Sequence, residues 1–165
     1  MRLLSVTLAA VFCAGAACAE FTFHDNGSTL TLLEDGKPVF AYNYTTVVPP
    51  QGVAEKFARA CYIHPLYGLD GEVLTQDFPI DHRHHRGVFW AWPLTRIGER
   101  PADVWACDGI YQHHEEWVRK EAGADKAVIA VRNFWSYADA PDTPVGREEA
   151  SYTVWPADDA GRAID

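Results

Sequence analysis

The sequence predicts an all-β fold, an antiparallel β-sandwich, on the basis of three observations. Short runs rich in β-branched and aromatic residues recur along the chain, and such runs favour strands. Turn signals such as Asn26-Gly27 and Asp35-Gly36 separate several of them, as in hairpins. No stretch has a convincing amphipathic helical period. Many short strands with little helix between them are typical of a sandwich or barrel.

The predicted strands follow one another at fairly regular spacing. The first three form a meander around the two turns, the next stops at Pro65, and another is closed by Pro93,. The predicted strands cover residues 21–25, 28–33, 38–44, 60–64, 88–92, 126–135 and 148–155. Residues 53–60 and 113–121 are the two weak helix candidates.

The N-terminus has the pattern of a signal peptide. Arg2 precedes a short apolar run, and small residues stand just before Glu20,. The run is too short to span a bilayer, so we predict cleavage after Ala19 and a periplasmic or secreted protein with no membrane span. Acylation at Cys18, which would make a lipoprotein, is the alternative, but Gly15 stands where a leucine-like residue is expected,.

Residues 20–165 are long enough for a single domain with a hydrophobic core. The net charge of -9 argues against nucleic acid as a partner. Cys61 and Cys107 either form a disulfide, which persists in exported proteins, or remain buried free thiols. Residues 161–165 follow a strand and a turn with no polar tail, so we expect a domain that is incomplete at its C-terminus and lacks further strands.

The densest group of reactive side chains lies between Asp77 and Gly87. In an extended backbone alternate side chains share a face, so His82 and His84 are expected to converge on one ligand. Imidazole ligates divalent metals and titrates near neutral pH, so this pair could bind a divalent metal ion or serve acid–base catalysis. Asp77 or Asp81 could add an oxygen ligand or fix an imidazole tautomer. The alternative is a solvated polar loop.

Two further groups could contribute to a site. His113 and His114 precede Trp117, and an exposed polar turn is the alternative for them,. Strand alternation predicts that Glu148 or Glu149 faces inward, where a carboxylate near a histidine would be a candidate general base.

Six tryptophans follow the predicted signal peptide, including Trp90 and Trp92. Flat aromatic faces together with His, Asp and Arg side chains suit the stacking and hydroxyl binding that a sugar requires. The composition therefore indicates a carbohydrate-like small molecule as the partner, although most tryptophans in a sandwich pack in the core.

Several sequence blocks resemble a known family. They are residues 60–75, Asp77-Phe-Pro79, Asp81-His-Arg-His-His-Arg-Gly87 and Trp90-Ala-Trp92, with further similarity at residues 109–113, 147–149 and Tyr152. These blocks make most of the chain after the signal peptide similar to DUF6807, whose members often carry the label methane oxygenase PmoA. The resemblance implies a β-sandwich of the galactose-mutarotase kind. It also implies export and an association with carbohydrate degradation.

The resemblance also implies which positions form the site. They are His64, Asp81, His82, His84, His85, Arg86, His113 and Glu149. We assign catalysis to His64, His84, His85, His113 and Glu149. We assign substrate binding to Asp81, Arg86, Trp90 and Trp92, and metal binding to His82 and His84.

Three hypotheses follow for the function. The leading one is an exported enzyme that acts on a carbohydrate or sugar derivative, with histidines as acid and base groups. A mechanism like that of mutarotases would place a carboxylate base in the missing C-terminal part. The second is a non-catalytic carbohydrate-binding module, and the third is a metal-dependent oxygenase or hydrolase with histidine ligands.

Overall fold

A computed structural model describes residues 19–165. The predicted signal peptide covers residues 1–19, of which residues 1–18, including the alternative site at Cys18, lie outside the described residues. Within residues 19–165, no helix is long and apolar enough to cross a membrane.

The first sheet has four antiparallel strands in the order β1-β2-β3-β4. The strands are β1 Phe21–Asp25, β2 Thr29–Glu34, β3 Lys37–Asn43 and β4 Tyr62–Leu66. The β1–β2 turn is held by the Asn26 side chain, whose Oδ1 accepts hydrogen bonds from the backbone N–H groups of Ser28 and Thr29,. Asp35 and Gly36 both have positive φ in the β2–β3 turn, as a two-residue hairpin requires. The predicted meander is therefore confirmed.

Strand β4 differs from its prediction because it continues through Pro65 to Leu66. Proline has no backbone N–H, but it is tolerated on edge strands and at bulges. β4 lies at the edge of the first sheet, and its pairing with β3 shifts register between Phe40 and Tyr42. The irregular pairing accommodates Pro65.

Five more strands follow. They are β5 Thr95–Ile97, β6 Arg100–Ala102, β7 Ile110–Ala122, β8 Ala127–Tyr137 and β9 Pro144–Val154. β5 and β6 form a short hairpin, and β7, β8 and β9 form an antiparallel sheet in that order. The last two strands confirm the predictions at residues 126–135 and 148–155.

Three local predictions were wrong. Residues 113–121 lie in β7 rather than in a helix, because pairing with β8 fixes them in an extended conformation. Residues 53–60 contain only a 3₁₀ turn, Glu55–Phe57. Residues 88–92 are not a strand: Val88 makes an isolated bridge to Ile63, and the residues after it are irregular.

The two larger sheets pack face to face around one core, which confirms the antiparallel β-sandwich. The first sheet contributes Leu30, Leu32, Phe40 and Tyr42, and the second contributes Ile129, Val131 and Val154. Burial of these side chains is the main stabilising contribution. A smaller cluster around Ile110, Trp135 and Tyr137 packs beside the β5–β6 hairpin.

Cys61 and Cys107 are both buried free thiols, which corresponds to the second of the two alternatives. Burial raises the pKa of the Cys61 thiol well above its usual value,.

Candidate functional site

The segment from Asp77 to Gly87 is anchored by a wholly buried arginine. Arg86 is 0% exposed, and its Nε donates to Asp77 Oδ1 at 2.5 Å. Its Nη1 donates to the carbonyl of Phe57 at 2.8 Å, and its Nη2 donates to the hydroxyl of Tyr62. Because all three nitrogens are engaged inside the protein, Arg86 cannot contact a substrate. We therefore replace its predicted substrate-binding role with a positioning role.

Arg86 also packs between aromatic rings. Its guanidinium carbon lies 3.6 Å from the ring centroid of Phe78 and 4.6 Å from that of Tyr62. A desolvated guanidinium over an aromatic face is stabilised by the ring quadrupole. Arg86 therefore joins both ends of the segment to the edge strand β4.

Between these anchors the backbone turns rather than extends. The N–H of His82 donates to the carbonyl of Pro79 at 3.1 Å, and that of His85 donates to the carbonyl of His82 at 2.9 Å. The prediction of an extended backbone here was therefore wrong, although His82 and His84 do lie close together, with 5.9 Å between their ring centroids. Alternation applies only to an extended chain, and the turns bring all three rings together.

The three imidazoles are in mutual contact. The rings of His82 and His85 stack at 4.8 Å between centroids, and His84 meets His85 edge to face at 4.5 Å. His82 also pairs with Asp81 at 3.1 Å, but both of these side chains are exposed. Asp81 therefore lies at the solvent side of the cluster, at a position open to a substrate.

Aromatic side chains form the walls beside this cluster. The ring of Trp105 lies 5.3 Å from His85 and 5.7 Å from His84, and Phe89 lies 5.5 Å from Trp105. His85, Phe89 and Trp105 line a cleft of about 320 Å³. We call this cleft, together with the adjoining imidazoles of His82 and His84 that contact His85, the histidine cleft.

The electrostatics of the cleft favour neutral imidazole at His84. Burial lowers the pKa of His84, and the charges that His85 and His82 would carry lower it further,. The Nε2 of His85 is buried and has no hydrogen-bond partner in the part of the chain that the structure describes. A buried polar atom without a partner is costly, so a ligand that formed a hydrogen bond with this nitrogen would remove that cost.

Trp90 and Trp92 follow Phe89 and form an exposed aromatic pair. Their rings meet edge to face at 4.9 Å, and they are 57% and 53% exposed. The backbone N–H of Trp105 donates to the carbonyl of Trp92 at 3.2 Å. This hydrogen bond connects the Trp90–Trp92 pair to the wall of the cleft. Large exposed aromatic surface of this kind suits stacking against a ligand ring.

His64 lies behind the cleft rather than in it. Its Nδ1 is 2.9 Å from Thr75 Oγ1, and burial lowers its pKa. Gly87 has positive φ, and any side chain there would collide with His64 and with the carbonyl of Ile63. His64 therefore packs against the end of the Asp77–Gly87 segment.

The structure does not bring His113 and Glu149 to the histidine cleft. Both lie on the outer face of the three-stranded sheet. His113 Nε2 is 2.9 Å from Ser136 Oγ, and its ring stacks on Phe134 at 4.8 Å. Glu149 is exposed and accepts a hydrogen bond from Arg132 at 3.1 Å.

The inward carboxylate that alternation predicts is Glu148. It accepts hydrogen bonds from Asn133 Nδ2 at 3.1 Å and Trp135 Nε1 at 2.9 Å, and another from Gln112. His114 and Asn133 are register partners, as are Asn133 and Glu148, so the three form one row across the inner face. We predicted Glu149 as the functional member of the pair, but it is Glu148 that faces the interior.

No group of three or more His, Cys, Asp or Glu side chains in the part of the chain that the structure describes is placed to hold a metal ion. The rings of His82 and His84 are 5.9 Å apart, and this pair lacks a third ligand of the kind that zinc sites use. Metal binding at His82 and His84 stays a prediction. A stoichiometric ion in protein purified without an affinity tag, lost on His82→Ala, would establish it.

Two half-buried histidines, His113 and His114, predict how stability depends on pH. Burial lowers the pKa of His113 and of His114, so the unfolded chain binds protons at a higher pH than the folded protein does. We expect the free energy of unfolding to fall as the pH drops below about 6.5, the unperturbed histidine pKa. Denaturant unfolding between pH 7.5 and 5.5 would measure this. A His113→Gln, His114→Gln variant should show a weaker pH dependence, and an unchanged dependence would contradict the prediction.

Comparison with known proteins identifies the family of this chain. The sequence matches DUF6807, a family of unknown function, over residues 29–165. No curated protein and no solved structure matches. The matched range contains the histidine cleft, the Arg86 anchor and every strand of the two large sheets except β1. The chain therefore belongs to the DUF6807 family.

Proposed function

We propose that this is an exported protein that acts on a carbohydrate or sugar derivative in the histidine cleft. The observation that carries the proposal is the contact of three imidazoles with each other and with the aromatic walls formed by Phe89 and Trp105. Aromatic faces stack on the apolar faces of sugar rings. Imidazole can donate or accept a proton near neutral pH. Support for export comes from the N-terminal sequence pattern alone.

Within this proposal, His84 and His85 are the acid and base groups. Their rings are 4.5 Å apart, so a bound hydroxyl or glycosidic oxygen can reach both. His84 is held neutral by burial and by its neighbours, as a general base must be. Asp81 and the Trp90–Trp92 pair contact the parts of the substrate outside the cleft.

The test is incubation of the full-length protein with a panel of sugars and oxidised glycosides. We expect turnover of at least one of them and its loss on His84→Ala, with a matched His24→Ala variant unaffected, since His24 is exposed on β1. The absence of turnover across the panel would contradict an enzymatic role, and full activity of the His84→Ala variant would contradict the role proposed for His84.

A non-catalytic carbohydrate-binding module is the second candidate, favoured by the exposed Trp90–Trp92 pair. In that case the protein binds a saccharide without converting it. We expect Trp92→Ala to weaken binding by about tenfold or more, since stacking and aromatic burial contribute on the order of 1–3 kcal/mol. Isothermal titration would measure the loss. Wild-type affinity in Trp92→Ala together with turnover by the wild-type protein would exclude this candidate.

A further inference from the structure

Two buried arginines lie near the histidine cleft, and they differ in how their charge is compensated. Arg86 is paired with Asp77. Arg59, in contrast, is only 5% exposed and makes no ion pair with any carboxylate among residues 19–165. A buried charge is normally paired, because an unpaired one is costly. Burial of Arg59 without a paired carboxylate is therefore less expected than burial of Arg86, which has one.

The guanidinium of Arg59 is only partly satisfied. Its Nη2 donates to the carbonyl of Val104 and lies 3.1 Å from Cys107 Sγ, whereas its Nη1 is buried with no partner among residues 19–165. Burial also lowers the pKa of Arg59, which is the direction expected when no counter-charge is present. The Nη1 group of this charged side chain thus has no acceptor among the described residues.

Arg59 lies directly against the cleft. Its guanidinium carbon is 4.5 Å from the ring centroid of Phe89, and Phe89 lines the cleft together with His85. His85 Nε2 is the other buried nitrogen without a partner at this site. Both side chains lie close to the Phe89 ring, Arg59 with its guanidinium carbon at 4.5 Å and His85 with its ring centroid at 6.2 Å.

We propose that the ligand of the histidine cleft is a sugar bearing an anionic oxygen group, a carboxylate, sulfate or phosphate, and that Arg59 binds this group. The inference rests on the function proposed above and narrows its substrate class. A planar guanidinium recognises such groups through charge-assisted hydrogen bonds. The preference for an anionic group is confined to the surroundings of Arg59, since the chain as a whole carries a net charge of -9.

The anionic group reaches Nη1 when the ring of Phe89 rotates away. Phe89 lies after the isolated bridge at Val88 and outside any strand, so regular backbone pairing does not fix its position. Side-chain rotamer changes of this kind are common on ligand binding. Phe89 therefore covers the guanidinium until the ligand enters.

The test compares neutral and anionic sugars by isothermal titration at constant ionic strength. The ligands are glucose, glucuronate, a glucose sulfate and a glucose phosphate, which separate the three kinds of anionic group. We expect at least one charged sugar to bind the wild-type protein about tenfold or more tightly than glucose does. In Arg59→Gln the ratio of the Kd for glucose to the Kd for the charged sugar should fall to about one. Equal affinities in the wild-type protein, or an unchanged ratio in Arg59→Gln, would overturn the proposal.

A second measurement uses inorganic sulfate and needs no sugar. Sulfate should raise the Tm of the wild-type protein more than chloride does at equal ionic strength, and this difference should shrink in Arg59→Gln and grow in Phe89→Ala. If no sugar binds but the sulfate effect depends on Arg59, the sugar assignment fails while the anion site stands. An identical sulfate effect in all three proteins, as expected if the Cys107 sulfur supplies the counter-charge, would overturn the anion site.

Discussion

Replacing Arg86 with alanine is expected to lower the free energy of unfolding by about 3–5 kcal/mol, the usual cost of breaking a buried ion pair. The change leaves the carboxylate of Asp77 without its partner and removes donors to Phe57 and Tyr62. It also opens a cavity between the rings of Phe78 and Tyr62. Denaturant unfolding of the full chain would measure the loss.

Two further variants act as controls for this prediction. Arg83→Ala removes an arginine from the same segment that makes one hydrogen bond, to the carbonyl of Phe78 at 2.8 Å, and should cost only about 0.5–1.5 kcal/mol. Arg86→Lys keeps the charge but loses the planar fork that reaches three acceptors, so it should remain clearly destabilised. Near wild-type stability of Arg86→Ala would mean that the segment is not anchored as described.

Replacing His85 with alanine is expected to lower kcat/KM on the best substrate of the panel by about 10²–10⁴-fold, the usual contribution of a general acid or base. His85 contacts both other imidazoles and Trp105, and its Nε2 is the buried nitrogen without a partner. The same variant should unfold at nearly the wild-type denaturant concentration, because the ring lies at the edge of a cleft. Steady-state kinetics would measure the first effect and denaturant unfolding the second.

The effect of His85→Ala must be separated from a general loss of structure. His85→Asn keeps a polar side chain of smaller size but removes the titrating group, so it should be as inactive as His85→Ala. Activity within a few-fold of wild type in both variants would contradict a catalytic role for this histidine. Inactivity accompanied by unfolding would point to a structural role instead.

The parts of the fold that depend on local signals were predictable from the sequence. Asn26-Gly27 and Asp35-Gly36 specify two tight turns by their own conformational preferences, and the meander around them is confirmed. The β-rich runs before Trp135 and Trp155 likewise correspond to β8 and β9. The polar residues 113–121 carry no such local preference, and their strand conformation depends on pairing with β8.

The site was only partly predictable because long-range contacts build it. The clustering of histidines was visible in the sequence, but their grouping depends on turns at Pro79 and His82. The burial of Arg86 depends on Tyr62 and Phe57, which are distant in the sequence. Arg59 was missed, although one signal was present: it is the only charged residue in the apolar run 57–63. A single charge in such a run indicates a buried charged group.

The most direct test of saccharide binding at the histidine cleft is an NMR titration. The full-length protein is titrated with the tightest-binding sugar of the panel, and its imidazole resonances are followed. We predict saturable shifts at His84 and His85, with His24 on β1 and His113 on the outer face unchanged. Shifts confined to His113 or His114, with the resonances of His84 and His85 unmoved at saturation, would contradict the assignment of the site.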